Sequence, residues 1–523
     1  MIDTFAFNIP FASIFIMMIS AILTPILPKK NRFPEKFSCY AIGTVAILSA
    51  YLLYSLSNSG QSLSFNFSMG HFPAPWGNEL RAGPLEAVLS LVFCVAMLLS
   101  LTGNFDSTAE DIPTNRRQIF CVLVNLLMAS LLALTYTNDL FTAYVFIEIN
   151  TIAACAIVAV KESPETARAA LRYLIMSLVG SGLVMISICL LYGLTGHLLM
   201  QNMHGAIQVL VTTKNYLLPL TVSLALITVG LAIKSALYPF AFWLPDAHGS
   251  STNSSSAILS GLVLKGHIFI LIKVFYRVFG LDVIHLLKMD TVIFILGVSA
   301  MVMGSVHAMK QNNIKKMIAW SSVAQVGYIF LGVGLNTVAG VAAACLHIII
   351  HACVKPMLFT AAGGLSSVAG HKKGLHELMG TFYINRWAGM GLITGACSMM
   401  GIPAFAGFAS KLSLTLSSFE SRFMFWALAA LATSSVLNAL YYVPAVIVVL
   451  THNRSHPSVD KSTSPLQMGD SASPFTGRGT ACGGGETSKL YKFSMFVFLI
   501  LNFYLGLFCV PLLRLITRGV NVL

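Results

Sequence analysis

Long apolar runs recur from one end of this sequence to the other, and they limit the fold more than any other feature. A run of 18 or more such residues spans a bilayer as a helix. Bounding the runs by polar breaks gives about fourteen spans of roughly 20 residues. They fall near 6–27, 38–57, 84–102, 118–137, 139–160, 169–193, 216–249, 255–279, 287–308, 315–335, 338–364, 387–417, 423–450 and 491–516. The first, FAFNIPFASIFIMMISAILTPIL, is longer than a signal-peptide core and lacks both a basic flank and a small-x-small cleavage site. It reads as a retained helix. The expected fold is therefore all-α, a polytopic integral membrane protein.

Only 10% of the 523 residues are charged, against about 25% in soluble domains. The net charge of +13 does not point to nucleic acid, because the cations gather in short loops. KKNRFPEK (29–36), Arg116–Arg117, KESPETAR (161–168), KQNNIKK (310–316), the stretch from His371 to Arg386 and residues 451–490 all fall on one side. The positive-inside rule makes that side cytoplasmic, in the cell's inner (cytoplasmic) membrane. An even number of spans then leaves both termini outside. Residues 451–490 are rich in Gly, Ser, Pro and Thr and are expected to be a disordered cytoplasmic loop. The ten cysteines are scattered without a CxxC pair, so neither a disulfide framework nor a metal cluster is expected. No cofactor motif appears: no GxGxxG is followed by a distant acidic residue, and no Cys or His pair suits an iron–sulfur centre or haem.

Several spans carry ionisable residues where a charge costs at least about 2.5–3.5 kcal/mol. Glu148 lies mid-span in LFTAYVFIEINTIAACAIV, and its partner must come from another helix. Lys234 and Lys265 lie inside the seventh and eighth spans. His347, His351 and Lys355 repeat every four residues and so share one helix face. Lys411 lies in the twelfth span. Any one of these could simply bond a neighbouring helix. Five separate sites in one chain suit a proton relay better, since lysine and histidine can hold or release a proton when buried. The His347/His351 pair has the spacing of a helical metal site, but no carboxylate or cysteine ligand accompanies it.

The spans at 216–249 and 387–417 are too long for one straight crossing, and each is interrupted by proline or glycine. Pro239, Pro245 and Pro403 are the expected helix breakers, with the first break just after Pro239. Spans four to eight contain one broken helix and spans nine to thirteen the other, in comparable places. Such a pair marks inverted repeats and points to an ion site. The expected organisation is an N-terminal three-helix segment (1–110), a first five-helix repeat (111–280), a second (281–450), the polar loop (451–490) and a C-terminal helix (491–523).

The motifs KSALYPFAFWLPDAH (234–248), SSAILSGLVLK (255–265), IKKMIAWSSVAQVGYIFLG (314–332), HIIIHACVKPMLFTAAG (347–363) and GIPAFAGFASK (401–411) carry a resemblance. Over roughly residues 85–450 the chain resembles the antiporter-like, proton-conducting membrane subunits of respiratory complex I, energy-converting membrane hydrogenases and Mrp-type cation/proton antiporters. Its wording is nearest to the branch that holds the Mrp D-type subunit and the hydrogenases. The resemblance implies fourteen helices with two inverted five-helix repeats. It implies that Glu148 pairs with Lys234, that Lys265 connects two half-channels, that His347 and His351 lie on a central polar axis, and that Lys411 faces the exit. The chain departs from the family where GSSTNSSS (249–256) replaces a proline-containing text, at Asn313, at Ala404 and in the 451–490 insert.

The expected function is translocation of protons, or of sodium against protons, by a subunit of a larger complex. Other membrane subunits and the lipid bilayer would be its partners. The chain would not be catalytic alone, and any oxidoreductase activity would belong to the complex. The alternative is a stand-alone secondary transporter of a small solute, which inverted repeats fit equally well.

Overall fold

The computed structural model describes residues 4–58, 64–72, 77–451 and 488–523. In chain order its elements are α1 (Thr4–Leu23), α2 (Phe33–Asn58), β1 (Phe65–Ser68), β2 (Glu79–Ala82), α3 (Pro84–Gly103), α4 (Phe105–Asp111), α5 (Thr114–Tyr136), α6 (Leu140–Ala159), α7 (Pro164–Thr195), α8 (Met200–Thr212), α9 (Leu217–Lys234) and α10 (Trp243–Ser250). They continue with α11 (Asn253–Phe279), α12 (Leu281–Leu286), α13 (Met289–Met309), α14 (Ile314–Gly334), α15 (Val338–Val368), α16 (Thr381–Ile384), α17 (Arg386–Met400), α18 (Ala406–Ser418), α19 (Met424–Leu450), α20 (Lys489–Leu507) and α21 (Cys509–Val520). The loop expected at 451–490 lies almost wholly outside the described residues.

Thirteen helices among the described residues are long and apolar enough to cross a bilayer. The remaining expected span, 387–417, is instead the shorter pair α17 and α18. Two other expectations need correction. The polar stretch after α2 contains a small antiparallel ribbon, with Phe65 opposite Ala82 and Ser68 opposite Glu79. The last span stops at Leu507, and the chain restarts as α21.

Local chemistry sets many of the helix starts. Orphan N–H groups of a first turn need acceptors. Asp139 supplies one for α6, Ser163 for α7, Thr252 for α11, Asn313 for α14 and Thr337 for α15.

The breaks follow from proline geometry, though not where the sequence placed the first. A proline ring clashes with the carbonyl four residues earlier. Pro239 therefore forbids helix at Ser235, and α9 ends at Lys234 with Ala236 at φ +54°. The break precedes Pro239 rather than following it. Pro245 breaks nothing: it sits in the first turn of α10, where its missing N–H has no helical partner to lose. In the second break Gly401 (φ +91°) ends α17, and Pro403 and Ala404 (φ +75°) precede α18. Proline is held near φ −65°, so the alanine at 404 has a conformation that a second proline could not adopt.

Helices approach most closely where glycines face each other. A Cβ on Gly230 of α9 would lie 2.6 Å from the Gly180 carbonyl oxygen of α7. Gly297 of α13 and Gly327 of α14 meet in the same way. Small residues that let backbones touch are the usual means of packing helices in lipid. Burial is very uneven. The apolar windows of α11 and α14 are enclosed completely, and that of α15 nearly so, whereas only about a third of those of α2, α19 and α20 is buried. Two of these enclosed helices, α11 and α15, carry Lys265, His347, His351 and Lys355.

Candidate functional site: a buried row of ionisable side chains

Lys234 is the last residue of α9 and is wholly buried. Its Nζ lies 3.6 Å from Glu148 Oε1 of α6 and donates to Thr151 Oγ1 at 2.8 Å. Thr151 is one turn from Glu148, on the same face of α6. The Glu148 side chain is 22% exposed, while its Oε1 is buried. Breaking the helix at Lys234 leaves carbonyls of its last turn without helical partners. It also puts the ammonium beside the negative end of the helix dipole.

Lys265 sits within α11 and is also wholly buried. The segment Leu259–Val263 forms a π turn, in which residue i+5 stands over residue i. This brings the Lys265 Nζ to the Ser260 carbonyl, five residues earlier. Gly261 makes room for the ring of Pro356 from α15: a Cβ there would lie 2.4 Å from Pro356 Cγ.

The α15 row occupies the next step. Lys355 Nζ donates to the Ile318 carbonyl at 3.0 Å, to Ser321 Oγ and to Tyr442 Oη. The His351 and His347 rings are parallel to within 12°, with centroids 6.0 Å apart. His351 is within electrostatic reach of Lys265, Lys355 and His347, and among the described residues neither of its ring nitrogens has a hydrogen-bond partner. His347 Nδ1 bonds Ser410 Oγ at 2.9 Å, and its ring stacks on Tyr328 at 5.5 Å. Lys411 Nζ lies 4.8 Å over that same Tyr328 ring. It also donates to the carbonyls of Met399 (2.8 Å) and Met400 (3.0 Å), closing the end of α17.

The structure thus joins Glu148 to Lys234 directly, and His351, His347 and Lys411 through ring and hydroxyl contacts. Lys355 enters from the side through Ser321 and Tyr442. No hydrogen bond joins Lys234 to Lys265, or Lys265 to His351, among the described residues. The two broken helices also differ: Lys234 ends the first half of its helix, while Lys411 lies in the second half of its own and reaches back.

Four buried groups escaped sequence reasoning. His248, near the end of the expected span 216–249, is wholly buried, stacked on Phe359 at 4.5 Å, with both ring nitrogens unpartnered among the described residues. His267 is buried beside Lys234. Lys273 donates to the carbonyls of Leu134, Thr135 and Thr137 at the end of α5. Lys315 is 2% exposed at the start of α14. Lys273 carried the same signal as Lys265, a cation in an apolar span, whereas Lys315 was read as part of the basic loop 310–316. Asp246, beside His248, clamps Arg172 of α7 (2.6 Å) and Lys316 of α14 (3.0 Å).

Residues 137–438 match the family described as NADH:quinone oxidoreductase/Mrp antiporter, transmembrane. The chain is 31% identical to the N-type subunit of the NADH-quinone oxidoreductase of Desulforudis audaxviator over 381 residues, 72% of this chain and 74% of that one. It is 27% identical to the D-type subunit of the Na(+)/H(+) antiporter of Bacillus subtilis over 435 residues, 82% of this chain and 85% of that one. Among solved structures, a chain of the Mrp complex from Dietzia superposes with a TM-score of 0.84 at 20% identity, covering 99% of this chain and 97% of that one. A chain of an archaeal membrane-bound sulfane sulfur reductase gives 0.81 at 23% identity, covering 99% and 96%.

Proposed function

Because the chain belongs to the NADH:quinone oxidoreductase/Mrp antiporter membrane family, we propose that it is the proton-translocating membrane subunit of a multisubunit antiporter or respiratory complex. One observation carries the reading: the partly exposed Glu148 is paired with the buried Lys234, and the buried Lys265, His351, His347 and Lys411 follow through the core, with Lys355 beside them. Glu148–Lys234 is the switch. Closed, the pair holds both charges at the head of the row. Open, it changes the field there, and the proton held at Lys265 moves on to His351, His347 and Lys411. Each step needs a group that can be neutral or charged while buried, and amines and imidazoles meet that need.

The reading includes two five-helix repeats, 111–280 and 281–450, each built around one broken helix. It also sets the Lys/Arg-rich side in the cytoplasm of the inner membrane, with both termini outside. Sodium enters as the counter-ion in an antiporter complex, and redox chemistry enters only through other subunits. The test is ion translocation by the complex in sealed vesicles. Glu148→Gln and Lys234→Ala should each abolish it while the chain still inserts at the unaltered level. Full transport in both variants would sink the proposal.

A further inference from the structure

Helix α19 turns much of its surface outward, with Val436, Leu440, Val443 and Ile447 exposed. One stripe is the reverse. Asn438, Tyr441 and Tyr442 stand three and four residues apart, share a face and are buried. An apolar stripe would pack as well, and a buried amide costs free energy unless it is hydrogen-bonded. The partners of this stripe therefore matter. Tyr442 serves Lys355, directly and through Ser321. Asn438 and Tyr441 serve the other end of the row.

Asn438 Nδ2 donates to Tyr328 Oη of α14 at 3.2 Å and to the Met399 carbonyl of α17 at 3.3 Å. A carbonyl can only accept, so the amide nitrogen must face Met399 and the amide oxygen is left for another donor. Tyr441 Oη supplies it at 2.6 Å. These same two acceptors are the supports of Lys411. Its ammonium lies 4.8 Å over the Tyr328 ring and donates to the Met399 carbonyl at 2.8 Å. Because both nitrogens bond one oxygen, Asn438 Nδ2 and Lys411 Nζ lie within about 6 Å of each other. Met399 is in the last turn of α17, where carbonyls lack helical partners. Gly401 leaves room for the lysine stem: a Cβ there would lie 2.9 Å from Lys411 Cδ.

We propose that Asn438 is a positioning residue for Lys411. It ties the ring to the carbonyl, and so fixes the geometry in which the last amine of the row holds and releases its proton. The inference rests on the proposed function. Besides Lys411, the contacts bring three titratable groups here: Tyr328 of α14, His347 of α15 and Tyr441 of α19. With the tie in place, the ammonium meets partners already set for it. Without the tie, it must gather them at each turnover, and preset partners are what makes a buried charge cheap to form.

The test uses the complete complex, purified through a tag on this chain and reconstituted in sealed vesicles with a pH-sensitive dye. Asn438→Leu keeps the volume and removes every hydrogen bond of the amide. It should slow translocation about tenfold, at unaltered chain abundance and melting temperature. Asn438→Asp keeps the shape and the acceptor for Tyr441, but sets a carboxylate beside the ammonium. An opposite charge that close favours the ammonium, so release should slow at low pH and the optimum should rise by about one unit. Should the leucine variant fail to assemble, the pH optimum of Asn438→Asp carries the test. A wild-type rate in Asn438→Leu, or a wild-type optimum in Asn438→Asp, overturns the positioning role if Lys411→Ala has lost transport. Full transport by Lys411→Ala overturns the underlying proton row as well.

Discussion

At the residue scale the site depends on neutral partners as much as on its charges. Lys234 is steadied by Thr151, Lys355 by Ser321 and Tyr442, and His347 by Ser410. A buried hydrogen bond is worth about 1 kcal/mol, or about fivefold in a rate. Ser410→Ala should therefore lower translocation about fivefold at unchanged chain abundance. Vesicle transport normalised to the immunoblot signal would check this, and no change would remove Ser410 from the row. The charged members were legible in the sequence because a lysine in an apolar span stands out. Their hydroxyl partners were not. Serine and threonine occur on buried and lipid-facing surfaces alike, and only the packing says which of them meet an ammonium. His248 was missed because it sits among Pro245, Asp246 and Gly249, text that resembles the end of a span.

At the element scale, proline and glycine do the positioning. The π turn in α11 places Lys265 over Ser260, and Gly261 receives Pro356 there. Gly261→Ala would overlap that ring, and overpacking costs about 1–3 kcal/mol. The purified protein should melt several degrees lower, and transport should fall with it, because Lys265 and Lys355 shift relative to each other. A thermal melt in detergent beside a vesicle assay would show both effects, and wild-type values in both would refute the packing argument. The existence of both breaks was legible from proline and glycine in overlong spans. The site of the first was not, because proline acts on the carbonyl four residues back and the break appears upstream of its cause. The ribbon at 65–68 and 79–82 went unseen because four-residue strands carry too little alternation to register.

At the scale of the whole molecule, apolar length was easily read, since the bilayer demands it of every spanning helix. Which helices sit innermost was not, because α11, α14 and α15 are no more apolar than the exposed α7. The enclosed helices leave others with broad apolar flanks, among them α2, α19 and α20. In a family of multisubunit complexes such flanks suit neighbouring subunits. Purification of the tagged chain in a mild detergent should bring other polytopic membrane proteins with it in fixed proportion. A single monodisperse chain that transports ions on its own would favour a stand-alone carrier instead.

The arrangement of the row has an electrical consequence. Lys265, His351 and His347 stand well inside their helices, in a core that lipid does not reach. On the proposed route a proton passes sideways from Lys265 of α11 to His351 of α15 and then one turn, about 6 Å, along α15 to His347, so it crosses only part of the membrane potential. That potential does work of about 2.3 kcal/mol per charge for each 100 mV traversed. Most of the work therefore falls on the two ends of the route: the approach to Lys265 and the departure from Lys411. Voltage should mainly set how readily a proton enters and leaves the row, with a smaller share of its work on the step from His351 to His347.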